Sequence, residues 1–210
     1  MGITQTFKNL DENKQQRILN AALKEFAENG YERASTNQIV KSAGIGKGML
    51  FYYFTNKKEL YHYLIDYALD IVMYKYLNMI DIDDPDMIER MKKAGQIKMK
   101  CFAENAEVFY FAGTFLLEDE LDLPLPLKRK FEELYARGHS IIYENIDKTM
   151  FRDDADVDKI FQIIRWSMEG YENDLKKRLH GQNLTTINYD PIWEEFYEYM
   201  DILKLSFYRK

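Results

Sequence analysis

Little in this chain could build a crosslink, a metal centre or a sheet. A single cysteine, Cys101, excludes an internal disulfide and a cysteine-rich zinc site built from one chain, and fits a reducing cytoplasm. Glycine and proline are scarce, and all four prolines (Pro85, Pro124, Pro126 and Pro191) lie beyond residue 84, a distribution that favours helices. No alternating strand-like run and no internal repeat is present. The three histidines, His62, His139 and His180, are isolated, and HExxH, GxSxG and P-loop patterns are missing. No catalytic residue, metal or cofactor is therefore assigned, and an enzyme is not expected. No run of about 18 apolar residues exists to span a bilayer, and the N-terminus has no apolar signal core, so the expected location is cytoplasmic with no membrane partner. The acidic stretch Asp81 to Asp86 fails as a calcium loop. Pro85 and Asp86 replace a ligand and the required glycine, and Lys92 stands where the closing glutamate should be, which leaves a solvated linker or helix cap.

What the chain does have is apolar residues (46%), charge (30%) and enough length, at 210 residues, to bury a real core. Its net charge of -6 hides an asymmetry: residues 1–60 carry +3 and residues 61–210 carry -9. A basic head on an acidic body is the sign pattern expected if only the head approaches a polyanion.

The apolar periodicity predicts an all-α fold. Ile18, Leu19, Ala22, Leu23, Phe26 and Ala27 recur at spacings of three and four and mark a buried face that ends at Asn29-Gly30. Ser35 or Thr36 can cap a short second helix with Ile39, Val40 and Ala43 inward, and Gly44 supplies a position where φ can be positive. A third short helix is expected over 47–53. A fourth starts near Asn56 and continues through Tyr74. Further helices are expected over 86–112 and 127–151, separated by Leu121 to Pro126, then over 157–175, and from Pro191 to Phe207.

Two short helices joined by a glycine turn make a helix-turn-helix, and the stretch AGIGKGMLFYYFTNKKEL (Ala43 to Leu60) fits its second half. In this motif the second helix enters the DNA major groove while basic side chains and helix N-termini hold phosphates. Gly46 and Gly48 leave room for close approach beside Lys47. Phe51 and Phe54 are expected to pack inward, and Tyr52 and Tyr53 to present hydroxyls to phosphate or bases. Lys57, in the first turn of the next helix, is placed to meet the DNA backbone, and Thr36 can contact phosphate or simply cap its helix. The candidate DNA-binding residues are thus Thr36, Lys47, Gly48, Tyr52, Tyr53 and Lys57.

On these residues, the segment of residues 15–60 resembles the N-terminal DNA-binding domain of TetR-type transcriptional regulators. The resemblance implies a three-helix helix-turn-helix domain, residues 1–56, followed by a helical effector-binding and dimerisation domain, residues 57–210. It further implies a homodimer on a palindromic operator in double-stranded DNA, acting as a repressor released by an unidentified small-molecule effector. Three positions depart from the family pattern: Val40 stands where alanine is frequent, Gly46 where a serine commonly caps the recognition helix, and Phe51 where a tyrosine is common. A helical small-molecule sensor with weakened DNA binding is the alternative that Gly46 and Phe51 raise.

The acidic body is rich in rings. Tyr110, Phe111, Phe115, Tyr143, Trp166 and Tyr171 are candidates to line an effector pocket, although rings at helical spacing also serve as plain core. Glu104 and Glu107 would favour a cationic, lipophilic effector if they face inward, and an acyl or other elongated apolar ligand is the competing reading. Dimerisation is expected through the helices near 157–178 and 191–208.

Overall fold

The computed structural model describes residues 5–116 and 123–209, and among these it is all-α, with an isolated antiparallel bridge between Phe151 and Tyr208. Among the described residues ten α-helices follow one another: α1 (Gln5–Lys8), α2 (Glu12–Arg33), α3 (Thr36–Ala43), α4 (Lys47–Tyr53), α5 (Lys57–Ile71), α6 (Met87–Glu104), α7 (Ala106–Leu116), α8 (Leu125–Tyr143), α9 (Val157–Leu179) and α10 (Asp190–Phe207). They form two compact units, one of residues 1–72, 102–133 and 183–186, the other of residues 73–101, 134–182 and 187–210.

In the first unit α2 carries the apolar face read from the sequence: Ile18, Leu19, Ala22, Leu23, Phe26 and Ala27 are all buried. Asp11 caps its N-terminus by accepting the Lys14 N–H, and Gly30, at φ 65°, breaks the helix where Asn29-Gly30 predicts. One further turn follows to Arg33. α3 and α7 pack on α2, and Phe26 of α2, Tyr61 of α5 and Phe111 of α7 meet ring to ring. Gly113 of α7 makes room for Leu184: a methyl group at Gly113 would lie 2.5 Å from Leu184 Cδ1. Lys130 ties α8 to α5, its ammonium 2.6 Å from Asp66 Oδ1 and 2.8 Å from Asp70 Oδ1.

The second unit is built on Met87, Ile88, Met91, Phe151, Ile160, Ile164, Met200 and Leu203. Arg90 is buried with them. Its guanidinium donates to the main-chain carbonyls of Ile82, Asp84, Ile141 and Glu144, so the charge neutralises carbonyl dipoles at the end of α8 and in the loop before α6. Asp86 opens α6 by accepting the N–H groups of Ile88 and Glu89, and the chain end returns to it: the Tyr208 hydroxyl donates to Asp86 Oδ1 at 2.8 Å and Lys204 pairs with Asp86 and Glu89.

The helix boundaries correct three expectations. The helix expected over 86–112 is two, because the chain turns at Asn105, whose carbonyl accepts the N–H groups of Val108 and Phe109 to start α7. The helix expected to reach residue 151 stops at Tyr143, just before Asn145 adopts φ 56°. α5 ends at Ile71 and passes into a π-helical turn over Val72–Tyr76. Of the expected separator Leu121 to Pro126, Leu121 and Asp122 lie outside the described residues.

Candidate nucleic-acid interface

Ser35 rather than Thr36 caps α3, accepting the Gln38 N–H, while its own N–H donates to Glu25 Oε1 at 2.8 Å and fixes α3 against α2. Thr36 is left as the first helical residue, half-buried at the start of α3. α3 ends at Gly44, whose φ of 66° lies in the left-handed region that a side chain would strain, and Ile45 N–H bonds back to the Val40 carbonyl. Gly46 then adopts extended backbone and accepts the Met49 N–H to open α4 without any side-chain cap. This is the helix-turn-helix expected from the glycine spacing.

α4 presents Lys47, Gly48 and Tyr52 to solvent and buries Leu50 and Tyr53. The expected orientation of its aromatic run is corrected at two positions. Phe51 is exposed, at 38%, and Tyr53 is turned in, at 5%; Phe54 is fully buried as expected. The 3.6-residue period explains the exchange, because Leu50, Tyr53 and Phe54 are three and four apart and share the buried face, where Phe54 meets Phe7 of α1 and Tyr63 of α5. Tyr52, 64% exposed, leans on Tyr53 with ring centroids 5.9 Å apart.

Gly46 and Gly48 are small for no reason internal to the protein. A methyl group at either would meet no atom within 4 Å, and neither adopts positive φ. Gly48 costs a seven-residue helix stability and Gly46 stands at its N-cap without a side chain to bond, and both leave clearance to solvent.

α5 starts at an Asn56 cap that accepts the Glu59 N–H, with Glu59 reaching back to the Thr55 N–H at 2.6 Å. Lys57 in its first turn donates to the Glu32 carbonyl at 3.0 Å and lies 4.9 Å from the Tyr31 ring centroid. Two supports were not legible in the sequence. Tyr31 carries no periodic signal that places it under Lys57, and Phe7, in a short helix of its own, is buried against Tyr53, Phe54 and Tyr63.

The effector candidates do not form one group. Phe111 and Phe115 are fully buried in the first unit with their rings 5.5 Å apart, and Tyr110 is half-buried there against Phe102. In the second unit Tyr143 packs edge-on to Phe161, and Tyr171 donates to the Ile192 carbonyl and Glu195; burial pushes both hydroxyls up to about 12. Trp166 is 61% exposed on α9. Glu104 is exposed and Glu107 half-buried. Among the described residues no group of three or more His, Cys, Asp or Glu could hold a metal ion, and no helix is long and apolar enough to cross a membrane.

A glycine-turn helix pair whose second helix bares basic, small and aromatic residues, in a chain that is all-helical among the described residues, is the architecture of a DNA-binding transcriptional regulator. Residues 18–64 match the family described as bacterial regulatory proteins, tetR family. The chain is 33% identical to the HTH-type transcriptional regulator SAR2658 of Staphylococcus aureus over 135 residues, 54% of this chain and 72% of that one. Other S. aureus regulators of the same type are matched over 40% of their length. A TetR family regulator from Chloroflexus aurantiacus shares the fold over 100% of both chains, with a TM-score of 0.63 at 23% identity. FadR of Bacillus subtilis, solved with stearoyl-CoA, shares it over 90% of this chain and 96% of its own, with a TM-score of 0.53 at 19% identity. The chain belongs to the TetR family of transcriptional regulators.

Proposed function

We propose that the protein is a repressor that binds a palindromic operator as a homodimer and is released by a small-molecule effector. Residues 1–56 would read the DNA and residues 57–210 would carry the dimer and the effector. The observation that carries the reading is the unused space at Gly46 and Gly48: side chains are withheld where nothing in the protein needs the room, on the helix that would enter the major groove. Lys47 and Lys57 would face phosphates and Thr36 a further one. Gly48 would admit the backbone and Tyr52 would meet phosphate or a base edge, with Tyr53 supporting Tyr52 from below.

An exposed apolar face supports the dimer. Ile163 and Trp166 on α9 and Tyr199, Ile202 and Leu205 on α10 are all exposed, Leu205 at 77%. Such rows on two helices suit a four-helix contact with a second copy, and Trp166 is assigned to that face in preference to an effector pocket. Recognition helices related by a two-fold axis would read half-sites about 34 Å apart or a small multiple of it. For the effector, half-buried Tyr143 and Tyr171 remain the candidate contacts, while Phe111 and Phe115 serve as core. FadR in its stearoyl-CoA complex directs the first ligands to test to acyl-CoA thioesters, and release follows only if the ligand binds one arrangement of the heads better than the other.

The experiment is selection from a random duplex pool, followed by titration of the selected duplex with and without acyl-CoA and by sedimentation of the free protein. A palindrome bound by a dimer and released by ligand is the expected result. Ligand binding without enrichment of any duplex would favour the sensor with weakened DNA binding, for which the uncapped start of α4 at Gly46 is the motivation.

A further inference from the structure

We infer that Phe7 is a positioning residue for DNA reading: its ring, fed in from α1, sets the orientation of the recognition helix α4. The inference rests on the assignment of α4 to the DNA. α4 has seven residues, no side-chain cap at Gly46 and a glycine at its second position, so its own backbone holds it weakly and its geometry must come from packing. Its inner face offers Leu50, Tyr53 and, at the C-terminal end, Phe54.

Phe7 contributes to that packing from outside the three helices α2 to α4, as Tyr63 of α5 does against Phe54. It has no solvent exposure, and its ring centroid lies 5.7 Å from Tyr53, 4.9 Å from Phe54 and 5.7 Å from Tyr63 of α5. Two of the three contacts are edge-on, the arrangement in which one ring's positive rim meets another's negative face and rotation is resisted. The ring thus wedges the end of α4 against α5. Because Tyr53 in turn touches the exposed Tyr52, displacement of Phe7 is passed through one ring to a side chain on the outer surface.

α1 is itself anchored. The Gln15 side-chain amide donates to the carbonyls of Lys8 and Leu10, at 3.2 and 2.8 Å, and Leu10 N–H closes back on the Phe7 carbonyl. A short helix that would not persist alone is held at the correct height by one glutamine of α2.

The test compares Phe7→Ala, Phe7→Leu and Gln15→Ala with the wild type in the full chain, after circular dichroism confirms helix content. Three quantities are read: affinity for the selected duplex, affinity for random duplex with its salt slope, and hydrogen exchange of the amides of residues 50–54 against those of residues 18–27. Phe7→Ala is expected to weaken the selected duplex about tenfold with random-duplex affinity and salt slope unchanged, since phosphate contacts are kept and the reading geometry is lost. Exchange at 50–54 should rise while that at 18–27 holds. Phe7→Leu should recover most of the affinity, and Gln15→Ala should move in the same direction as Phe7→Ala by a smaller amount. Equal losses on both duplexes, or exchange that rises equally in α2 and α4, would overturn the inference by reducing Phe7 to a general stabiliser. Should the wild type prefer no duplex, the operator assignment falls, and the exchange comparison alone decides whether Phe7 holds α4.

Discussion

The Lys57 ammonium donates a 3.0 Å hydrogen bond to the main-chain carbonyl of Glu32, joining the start of α5 to the end of α2. An ammonium has three donors, so this bond orients the charge and is compatible with a phosphate contact from the same group. Lys57→Ala is expected to do two separable things. The lost bond and the lost contact with the Tyr31 ring should cost about 1 kcal/mol, which lowers the midpoint of thermal unfolding by about 2–4 °C in a chain of this size. The lost phosphate contact should reduce the slope of log affinity against log salt by about one. A lowered midpoint with an unchanged salt slope would confine Lys57 to the helix junction.

The clasp of the chain end on α6 should make stability depend on acid. Burial opposes ionisation of Asp86, but Lys204, the Glu89 N–H and the Tyr208 hydroxyl outweigh it and hold the carboxyl below its ordinary 3.8. A carboxyl depressed in the folded state binds its proton more readily when unfolded. Its stabilisation is therefore complete above pH 3.8 and disappears as pH falls through the lower folded value. Asp86→Asn should destabilise the protein at pH 7 and flatten the acid limb of unfolding midpoint against pH. An acid limb as steep as that of the wild type would assign the acid dependence to other carboxylates, of which Asp84, also held low by Lys93, is the first to examine.

Gly113 and Leu184 make a second kind of prediction, one of coupling. A methyl group at 113 would meet Leu184 Cδ1 at 2.5 Å, so Gly113→Ala must displace the buried Leu184 side chain from its seat. Leu184→Ala alone empties the seat and should cost about 2–4 kcal/mol. In the double variant the added methyl occupies the vacated space, and its cost should fall short of the two single costs added together by at least about 0.5 kcal/mol. Additive costs in denaturant titrations would mean that Leu184 moves aside freely in Gly113→Ala.

The sequence carried those features that depend on local rules. The face of α2, the break at Gly30, the left-handed Gly44 and the Asn56 cap all follow from periodicity or from a residue's own conformational range. Phe51 and Tyr53 were misread because both are large rings adjacent in sequence, and only the phase of a seven-residue helix decides which one is covered. The turn at Asn105 was illegible for the opposite reason: apolar residues continue on both sides, and the interruption is made by backbone bonds to Phe102, Val108 and Phe109. Phe7, Tyr31 and Leu184 gained their places from partners between 26 and 71 residues away, or from a neighbouring element, which no window of the sequence contains. The division of the six candidate rings between two units is of the same origin.

Gly48 separates the needs of the fold from those of the function. It is exposed, lies inside α4 and has open space where a Cβ would stand, so alanine costs the protein no contact. Alanine is also the better helix former by about 0.8–1.0 kcal/mol, and Gly48→Ala should raise the unfolding midpoint by about 2–4 °C. On the DNA the same methyl intrudes where the backbone of α4 would approach the groove, and affinity for the selected duplex should fall. Stability and affinity are thus expected to move in opposite directions on one substitution. That divergence is the signature of a residue kept small for a partner. A variant that is both more stable and equally tight on DNA would show that the clearance beside Lys47 is not used.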